Sequence, residues 1–231
     1  GPGMTAAVIL QARMGSTRLP GKAMREVLGR PLLSFVMEAL RKIPADRYIL
    51  ATDHESRSPF LPLAEAAGFV LFSGSPLDVL RRFREALEAH PADTVIRATG
   101  DNPLVSWEMG RRILEEHRAR KADYSAFFGL PLGCGVEIIR TEALFRADRD
   151  AADPYDREHV SSFLYRRPDL FDLHRPLAEE RHRERFSVTV DTPEDFDRVS
   201  AGVAALWKEG PPRLADLMAW IRSRDAGEGR G

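Results

Sequence analysis

The sequence lacks several features that identify particular classes of protein. It contains one cysteine, Cys134, which excludes an internal disulfide framework and fits a reducing compartment. Its apolar segments are too short or too interrupted to cross a bilayer, and no signal peptide precedes the first predicted strand. We therefore expect a cytoplasmic protein with no membrane partner. Residues 1–3 resemble a remnant of expression cloning, and Met4 is the expected natural start.

The chain also lacks an excess of charge of either sign. Its formal net charge is −1 at pH 7, so no overall field attracts nucleic acid or anionic lipid. No basic segment is interleaved with aromatic residues, and we expect no nucleic-acid partner. Any phosphate binding must therefore come from local clusters of charge.

What the chain does contain is enough apolar side chain for a substantial core. Hydrophobic residues make up 43% of the 231 positions, and no linker divides them. We expect a single domain over residues 4–225 and a disordered polar tail over residues 226–231. In the first half, strands are predicted at 6–12, 48–51, 69–72 and 94–98. Helices are predicted between and after them, at 32–43, 61–67, 77–89 and 107–118. This alternation predicts an α/β fold with a mostly parallel sheet and helices on both faces.

The second half of the chain has a less regular pattern. Short strands are predicted at 123–127, 136–140, 171–175 and 186–190. Helices are predicted at 141–148, 157–165, 193–207 and 213–224. Thr192 and Pro193 are typical of the start of a helix, as N-cap and first residue. We expect this half to extend the sheet in mixed fashion and to cover the active face of the first half.

A basic, glycine-containing loop follows the first predicted strand. Residues 11–22 read Q-A-R-M-G-S-T-R-L-P-G-K and contain three cations, Arg13, Arg18 and Lys22. Glycine lets backbone N–H groups approach an anion, and the cations neutralise phosphate oxygens. A solvated basic turn is the ordinary alternative. Its position at the carboxyl end of a strand, where open α/β sheets bind ligands, favours a triphosphate-binding loop.

This loop does not follow the two common phosphate-binding patterns. Gly15 and Gly21 enclose five residues where the Walker loop has four, and Ala23 stands where that loop has a magnesium-binding hydroxyl. No G-x-G-x-x-G dinucleotide fingerprint follows the first strand. The loop must bind phosphate in another way.

Two aspartates follow other predicted strands. Asp101 lies in the turn T-G-D-N-P, and Asp191 lies in V-T-V-D-T-P-E-D. If both turns meet at one edge of the sheet, the two carboxylates can hold Mg²⁺, which prefers one or two carboxylates together with phosphate oxygens. Taken one at a time, Asp101 could equally be a turn residue and Asp191 a helix cap. Beside the basic loop, the pair favours a metal site.

These segments together resemble the cytidylyltransferases that activate acidic sugars, in particular the spore-coat polysaccharide (SpsF-like) branch. The similarity extends over nearly all of residues 6–199, with its motifs in matching order. It rests on residues 11–22, A-T-D at 51–53, D-V-L-R-R-F at 78–83, R-A-T-G-D-N-P at 97–103, D-P-Y-D-R-E-H-V at 153–160 and V-D-T-P-E-D at 190–195. The resemblance implies a Rossmann-like nucleotidyltransferase α/β/α sandwich with a mixed sheet, in a protein that is often a homodimer.

The resemblance also implies residue roles. Arg13, Lys22, Asp101 and Asp191 are expected to be catalytic, and the two aspartates to hold Mg²⁺. The nucleotide-binding set is Gln11, Ala12, Arg13, Gly15, Ser16, Arg18, Lys22, Thr52, Asp53, Gly74, Arg97, Thr99 and Gly100. Of these, Thr52, Asp53 and Gly74 are expected to line the base and ribose. The expected acceptor-binding set is Asn102, Glu137, Arg157 and His159, although a salt bridge at a helix N-terminus would explain Arg157 and its neighbours equally well.

One segment departs from the family pattern. Where the branch usually reads G-L-D-V-E, this chain has Gly133, Cys134, Gly135, Val136 and Glu137, so a carboxylate is missing at position 135. Either the acceptor differs or that carboxylate is not needed for the chemistry. Cys134 is expected to pack in the core, because phosphoryl transfer to an acceptor oxygen requires no covalent intermediate.

The expected reaction is attack by an acceptor oxygen on the α-phosphorus of CTP, with release of pyrophosphate. The expected partners are thus CTP and a small acidic acceptor. No side chain stands out as general base, although His159 could serve. Two alternatives remain open: the same chemistry with UTP, GTP or ATP, and a nucleotide-binding module without turnover, for which the missing carboxylate at Gly135 is the support.

Overall fold

A seven-stranded sheet with helices on both faces forms the centre of the protein, in a computed structural model that describes residues 4–228. The strands are β1 (Ala6–Gln11), β2 (Glu26–Val27), β3 (Arg30–Pro31), β4 (Arg47–Thr52), β5 (Val70–Ser73), β6 (Thr94–Thr99), β7 (Tyr124–Ser125), β8 (Glu137–Arg140) and β9 (Leu173–His174). The helices are α1 (Leu32–Leu40), α2 (Arg57–Ala67), α3 (Val79–Ala89), α4 (Trp107–Arg120), α5 (Thr141–Asp150), α6 (Pro154–His159), α7 (Ser162–Tyr165), α8 (Pro193–Leu206) and α9 (Leu214–Glu228). Short 3-10 turns occur at Lys22–Met24 and Glu180–His182.

The sheet is mostly parallel, as predicted. Its order is β5-β4-β1-β6-β8-β7-β9, and β8 alone among these strands runs antiparallel to its neighbours. Each of the first four strands is joined to the next by a segment that contains a helix, which is the connection that parallel neighbours require. β2 and β3 form a separate hairpin.

Alternate side chains of the central strands pack into two hydrophobic cores, one on each face of the sheet. In β1, Val8 and Leu10 pack with α1, α4, α8 and α9 on one face. Ala7 and Ile9 pack with α3 and α5 on the other face. A strand covered on both faces reads as a continuous apolar run, which is why residues 6–10 show no polar position.

The order of the strands reverses at β1. β1 leads to β4 on one side, and the chain later returns through β6 on the other side, so Gln11 pairs with both Ala51 and Thr99. Ligands of open α/β sheets bind at such a point, beyond the carboxyl ends of the strands. The turn after β6 lies so close to β1 that a side chain at Gly100 would place its Cβ 2.8 Å from the Cβ of Ala12. Gly100 therefore permits the two loops to meet.

Several boundaries differ from those predicted. The β2–β3 hairpin was not predicted, because its turn has Leu28 at φ 51° beside Gly29 at φ 73°, and leucine gives no signal for that conformation. The predicted strand 186–190 is instead an extended segment with one isolated bridge, from Leu132 to Ser187. The predicted helix 157–165 begins earlier, at Pro154, and is divided in two at Val160.

The chain end also differs from the prediction. A disordered tail was expected from residue 226, but residues 226–228 belong to α9. The remaining tail residues, 229–231, and the presumed cloning remnant, 1–3, lie outside the described residues. Within residues 4–228, every helix is too short or too polar to serve as a membrane span.

Candidate active site

Lys22 lies between the two predicted metal ligands at the carboxyl edge of the sheet. Its Nζ is 2.8 Å from Oδ1 of Asp101 and 3.2 Å from Oδ1 of Asp191. It also donates to the carbonyl oxygen of Val190 at 3.0 Å. Three segments far apart in the sequence thus bring one cation and two carboxylates together, and each carboxylate is about a third exposed (35% and 37%).

Both aspartates are free of the structural roles that could have explained them. The cap of α8 is made by Thr192, whose Oγ1 accepts from the N–H of Asp195, and by Asp195, whose carboxylate accepts from the N–H groups of Asp191 and Thr192. In the turn after β6, the amide of Asn102 donates to Thr99 Oγ1 at 2.9 Å. Among residues 4–228, the carboxylates of Asp101 and Asp191 therefore have Lys22 as their one side-chain partner.

The electrostatics of Asp101 favour a cation beside it. Burial raises the pKa of Asp101 above its ordinary value, Lys22 opposes this by favouring the charged form, and the nearby Asp191 adds to the increase. Two carboxylates that share one ammonium group retain an unbalanced negative charge. A further cation, or a ligand that brings one, would be attracted to this place.

The basic loop lies open beside this cluster. Arg13 and Arg18 are exposed, and within residues 4–228 neither forms an ion pair. Ser16 is half-buried, and Gly15 lies against the guanidinium of Arg13, at 3.2 Å from the position of an added Cβ. Leu19, buried in the core, fixes the loop to the protein. The cations are thus held on a fixed backbone with their charges free to meet an anion.

Two buried residues, Asp53 and Ser56, hold the backbone of the basic loop in place. The N–H of Met14 donates to Oγ of Ser56 at 2.8 Å. The hydroxyl and the N–H of Ser56 both donate to Oδ1 of Asp53, and both side chains are buried. Asp53 was expected to line the base and ribose, but its carboxylate is instead directed to Ser56. Its neighbour Thr52 is fully buried, and its hydroxyl has no hydrogen-bond partner among the described residues.

No role was predicted from the sequence for Arg82, which is one of the largest fully buried side chains. It donates to the carbonyl oxygens of Ser75 (2.8 Å), Pro76 (3.0 Å) and Ala51 (3.5 Å). Burial lowers the pKa of Arg82 to about 10, with Asp53 opposing the decrease and Arg13 adding to it. An added Cβ at Gly74 would lie 3.1 Å from Arg82 Cγ, so Gly74 lets this side chain pass beneath the loop. The signal was available: Arg82 occupies the apolar stripe of α3, three residues after Val79.

Gln11 and Glu137, assigned to different substrates in the sequence, share Arg97. The guanidinium of Arg97 donates twice to Gln11 Oε1, at 2.8 and 3.0 Å, and pairs with Glu137 at 2.5 Å. Glu137 also accepts from the hydroxyls of Tyr124 and Ser161. Burial and the charge of Glu137 raise the pKa of Tyr124, so this phenol remains a donor. The predicted acceptor contact Glu137 is therefore engaged by three donors of the protein itself.

Asn102 connects the turn after β6 to the segment before α8. Its side-chain oxygen accepts from the hydroxyl of Thr189, and the N–H of Val190 donates to the carbonyl oxygen of Asp101 at 2.9 Å. Gly133, at φ 99°, lies against this junction, and an added Cβ there would be 3.0 Å from Asn102 Oδ1 and Thr189 N. Asn102 thus helps to place Asp101 opposite Asp191.

Arg157, expected on the acceptor side, is engaged by groups of the protein itself. Its guanidinium forms an ion pair with Asp78, the N-cap of α3, and another with Asp148 of α5. It also donates to the carbonyl oxygens of Asp148 (2.7 Å) and Ala151 (3.3 Å). No donor is left for a ligand, because every nitrogen of this guanidinium already has an acceptor. These contacts are the ones that the salt-bridge alternative predicts.

His159 lies on the surface at the end of α6. Its ring stacks on Tyr155 with centroids 4.1 Å apart, and its side chain is about half exposed. The next residue, Val160, is buried and has φ 60° and ψ −61°, the centre of a γ-turn closed by a 2.6 Å bond from Ser161 N to the carbonyl oxygen of His159. This strained turn directs the hydroxyl of Ser161 to Glu137. It is unusual for a β-branched residue and marks a place that the fold constrains strongly.

The segment 133–137, which differs from the family pattern, contains no reactive nucleophile. Cys134 is fully buried, and burial raises the pKa of its thiol to about 12, which suits a packing residue. Gly135 has an ordinary backbone conformation and room for a side chain, the nearest atom to an added Cβ being Leu130 Cδ1 at 3.6 Å. Within the described part of the chain, no group of three or more His, Cys, Asp or Glu side chains could hold a metal ion. The site thus has two carboxylates and no further protein ligand of these types.

Comparisons with known proteins agree with one another. A sequence model described as "Cytidylyltransferase" matches residues 7–207. The spore coat polysaccharide biosynthesis protein SpsF of Bacillus subtilis is 33% identical over 201 residues, which is 84% of each chain. The 3-deoxy-manno-octulosonate cytidylyltransferase of Pectobacterium carotovorum is 30% identical over 145 residues, 61% of this chain and 57% of that one. Among solved structures, a cytidylyltransferase of Leptospira borgpetersenii superposes with a TM-score of 0.88 at 24% identity over 96% of both chains.

Proposed function

This chain belongs to the cytidylyltransferase family, and we propose that it transfers CMP from CTP to a small acidic acceptor, with release of pyrophosphate. The observation that carries the proposal is the position of Lys22, Asp101 and Asp191 beside the open basic loop at the reversal of strand order. Such an edge offers one place for the triphosphate and an adjoining place for a second substrate.

The residues present fit a magnesium ion. Asp101 and Asp191 supply two carboxylates, and Mg²⁺ is commonly held by one or two carboxylates plus the phosphate oxygens of a substrate. The absence of a third protein ligand of the usual types among residues 4–228 agrees with that mode of binding. When bound, the ion would neutralise phosphate charge and polarise the α-phosphate.

The chain's own contribution is alignment and stabilisation of charge. We propose that Arg13, Arg18 and Lys22 bind the triphosphate and stabilise the negative charge that the departing pyrophosphate gains. The Ser56 hydroxyl fixes the N–H of Met14, and so keeps the loop in the form that receives the phosphates. Because the loop is held before the ligand arrives, little reorganisation is needed when the bond breaks.

The second substrate would lie on the side of Glu137. The Arg97–Glu137 pair and its donors Tyr124 and Ser161 form a rigid floor beside the end of β6. His159 emerges next to Ser161 and remains a candidate to contact the acceptor or to accept its proton. The names of the relatives support an acidic sugar as acceptor and a role in polysaccharide precursor synthesis, which we propose for a cytoplasmic enzyme.

A direct test combines each nucleotide with a panel of acceptors. Purified protein is incubated with CTP, UTP, GTP or ATP, with Mg²⁺ and acidic sugars, and pyrophosphate and the CMP-linked product are measured, the latter by mass. We expect product with CTP and at least one acidic sugar. Asp101→Asn should reduce turnover by orders of magnitude, while Asp197→Asn, an exposed aspartate of α8, should not.

The same experiment separates the alternatives. Turnover with UTP, GTP or ATP in place of CTP would revise the assigned nucleotide and leave the proposed reaction unchanged. Thermal stabilisation by CTP and Mg²⁺, without pyrophosphate release for any acceptor, would support a nucleotide-binding module. Full activity of Asp101→Asn would contradict the assigned role of that carboxylate.

We propose in addition that the protein is a homodimer. Three apolar side chains in adjacent segments, Phe128 (62% exposed), Leu132 (66%) and Leu177 (56%), support this, because Phe128 and Leu177 form a β-bridge and share one surface. Light scattering after size-exclusion chromatography should give twice the monomer mass. The double substitution F128E/L177E should give the monomer mass, and a monomeric wild type would contradict the proposal.

A further inference from the structure

The contacts of Lys22 leave it no free donor. An ammonium group has three N–H bonds, and Lys22 uses them on Asp101 Oδ1, Asp191 Oδ1 and the carbonyl oxygen of Val190. Its side chain is only 16% exposed, so these contacts are largely shielded from solvent. In this state Lys22 has no N–H bond left for a phosphate.

We infer that Lys22 is the counter-ion of Asp101 and Asp191 in the nucleotide-free protein, and that it must transfer to the triphosphate before the two carboxylates can hold a divalent ion. The inference rests on the proposed function, whose substrate and metal it takes as given. It assigns a role to Lys22 that the catalytic prediction did not contain. Metal binding and CTP binding would then be coupled through one side chain.

Competition for the same oxygen atoms is the first reason. The ammonium occupies Oδ1 of both aspartates, which are the hard oxygen ligands that a divalent ion would need. A divalent cation and an ammonium within a few ångströms of each other also repel strongly in a site that is only a third exposed. The ion therefore binds weakly while Lys22 remains.

The position of Lys22 in the chain is the second reason. Its backbone is fixed in the 3-10 turn Lys22–Met24, whose Ala23 is buried, while its side chain is a flexible four-carbon stem. Rotation of that stem can move the ammonium from the aspartates to the adjoining phosphate loop without a movement of the backbone. A triphosphate supplies the replacement anion that makes this rotation favourable.

The test measures Mn²⁺ binding by calorimetry, without nucleotide and with CTP but no acceptor. In the wild type we expect weak binding of Mn²⁺ alone. In Lys22→Met, which removes the ammonium, the nucleotide-free affinity for Mn²⁺ should rise on the order of tenfold, the scale expected for removing a charge beside partly exposed carboxylates. Lys22→Gln, which keeps a polar side chain, should behave in the same way, and the melting temperature confirms that each variant is folded. Lys208→Met, an exposed lysine, is the matched control and should bind Mn²⁺ as the wild type does.

The coupling provides a second readout. In the wild type, CTP should increase the affinity for Mn²⁺ beyond the binding of Mn²⁺ to CTP itself, and Mn²⁺ should increase the affinity for CTP by the same factor. Both factors should be smaller in Lys22→Met. Unchanged or weaker nucleotide-free Mn²⁺ binding in both Lys22 variants would overturn the inference. CMP transfer by the wild type in the presence of a chelator would instead contradict the metal in the proposed function, so the two failures are distinguishable.

Discussion

Removal of one buried hydroxyl, that of Ser56, should weaken both the fold and the binding of CTP. Ser56 is fully buried and lies between the buried Asp53 and the phosphate loop. In Ser56→Ala the N–H of Met14 loses its 2.8 Å acceptor, and Asp53 loses a hydroxyl donor. Asp53 keeps one partner, because the N–H of residue 56 still donates to Oδ1.

The size of the effect follows from these contacts. A hydrogen bond to a charged group contributes about 1.5–3 kcal/mol, and a neutral one about 1 kcal/mol, part of which solvent restores to the loop. We expect the free energy of unfolding to fall by about 2–3 kcal/mol. For a protein of this size, that corresponds to a decrease in melting temperature of roughly 4–12 °C.

Two measurements check this prediction. Thermal or urea unfolding gives the stability, and CTP titration gives the dissociation constant, which should rise because the loop now has to be ordered by the ligand. The matched control is Ser200→Ala, since the hydroxyl of Ser200 is buried and has no hydrogen-bond partner among the described residues. If Ser56→Ala is as stable as Ser200→Ala and binds CTP as the wild type does, the positioning role of Ser56 is refuted.

Three further predictions concern other parts of the structure. Gly133→Ala should lower the melting temperature by several degrees, because φ is 99° at this position and an added Cβ would meet the backbone of residues 188–189. Gly135→Asp is the control and should leave the melting temperature unchanged, because position 135 has room for a side chain. Equal decreases in the two variants would contradict this prediction. Arg157→Met should cost about 2 kcal/mol in urea unfolding, since it leaves the buried carboxylate of Asp148 with one arginine, and the KM for the acceptor should not change. Burial lowers the pKa of His117 to about 4, below its unfolded value near 6.5. As the pH falls from 6.5 to 4, the imidazole therefore takes up a proton in the unfolded chain before it does so in the folded protein. Over this range the free energy of unfolding should decrease by about 3 kcal/mol. His117→Asn, measured by urea unfolding across that pH range, should reduce the fall, and an unchanged pH dependence would contradict the assignment.

The strongly periodic first half of the chain was predictable. The apolar run at 6–10 is typical of a buried strand, the short run at 94–98 was also predicted as a strand, and α1, α3 and α4 show apolar residues at helical spacing. The short strands β7 and β9 have two residues each, too few for a periodic signal, and their pairing depends on contacts between distant segments. The division of α6 from α7 depends on the conformation of Val160, which a valine does not reveal in a sequence.

For the residues of the candidate site, the sequence predicted the position along the chain better than the partner of each side chain. Motif position correctly placed Lys22 and Asp101 at one edge, because parallel strands such as β1 and β6 end on the same side of a sheet. Asp191 reaches the same edge from an extended segment that is not a strand of the sheet. Motif position could not distinguish a side chain directed to a ligand from one satisfied by the protein. Arg157 and Glu137 proved to be engaged by neighbouring groups, and Arg82 was hidden beneath a loop.

The sequence by itself determined the alternation of β1, β4, β5 and β6 with helices, the position of the loop 11–22 after β1, and the family, since each depends on patterns of residues along the chain. Only the tertiary structure decided that Lys22 is the partner of Asp101 and Asp191, and that Asp53 holds the loop through Ser56. The physical reason is that hydrogen bonds and ion pairs have a range of a few ångströms, and the partners here lie 79 and 169 residues apart in the Lys22 cluster and 42 apart at Met14 and Ser56. Folding, and not spacing along the chain, sets which of those groups come within reach.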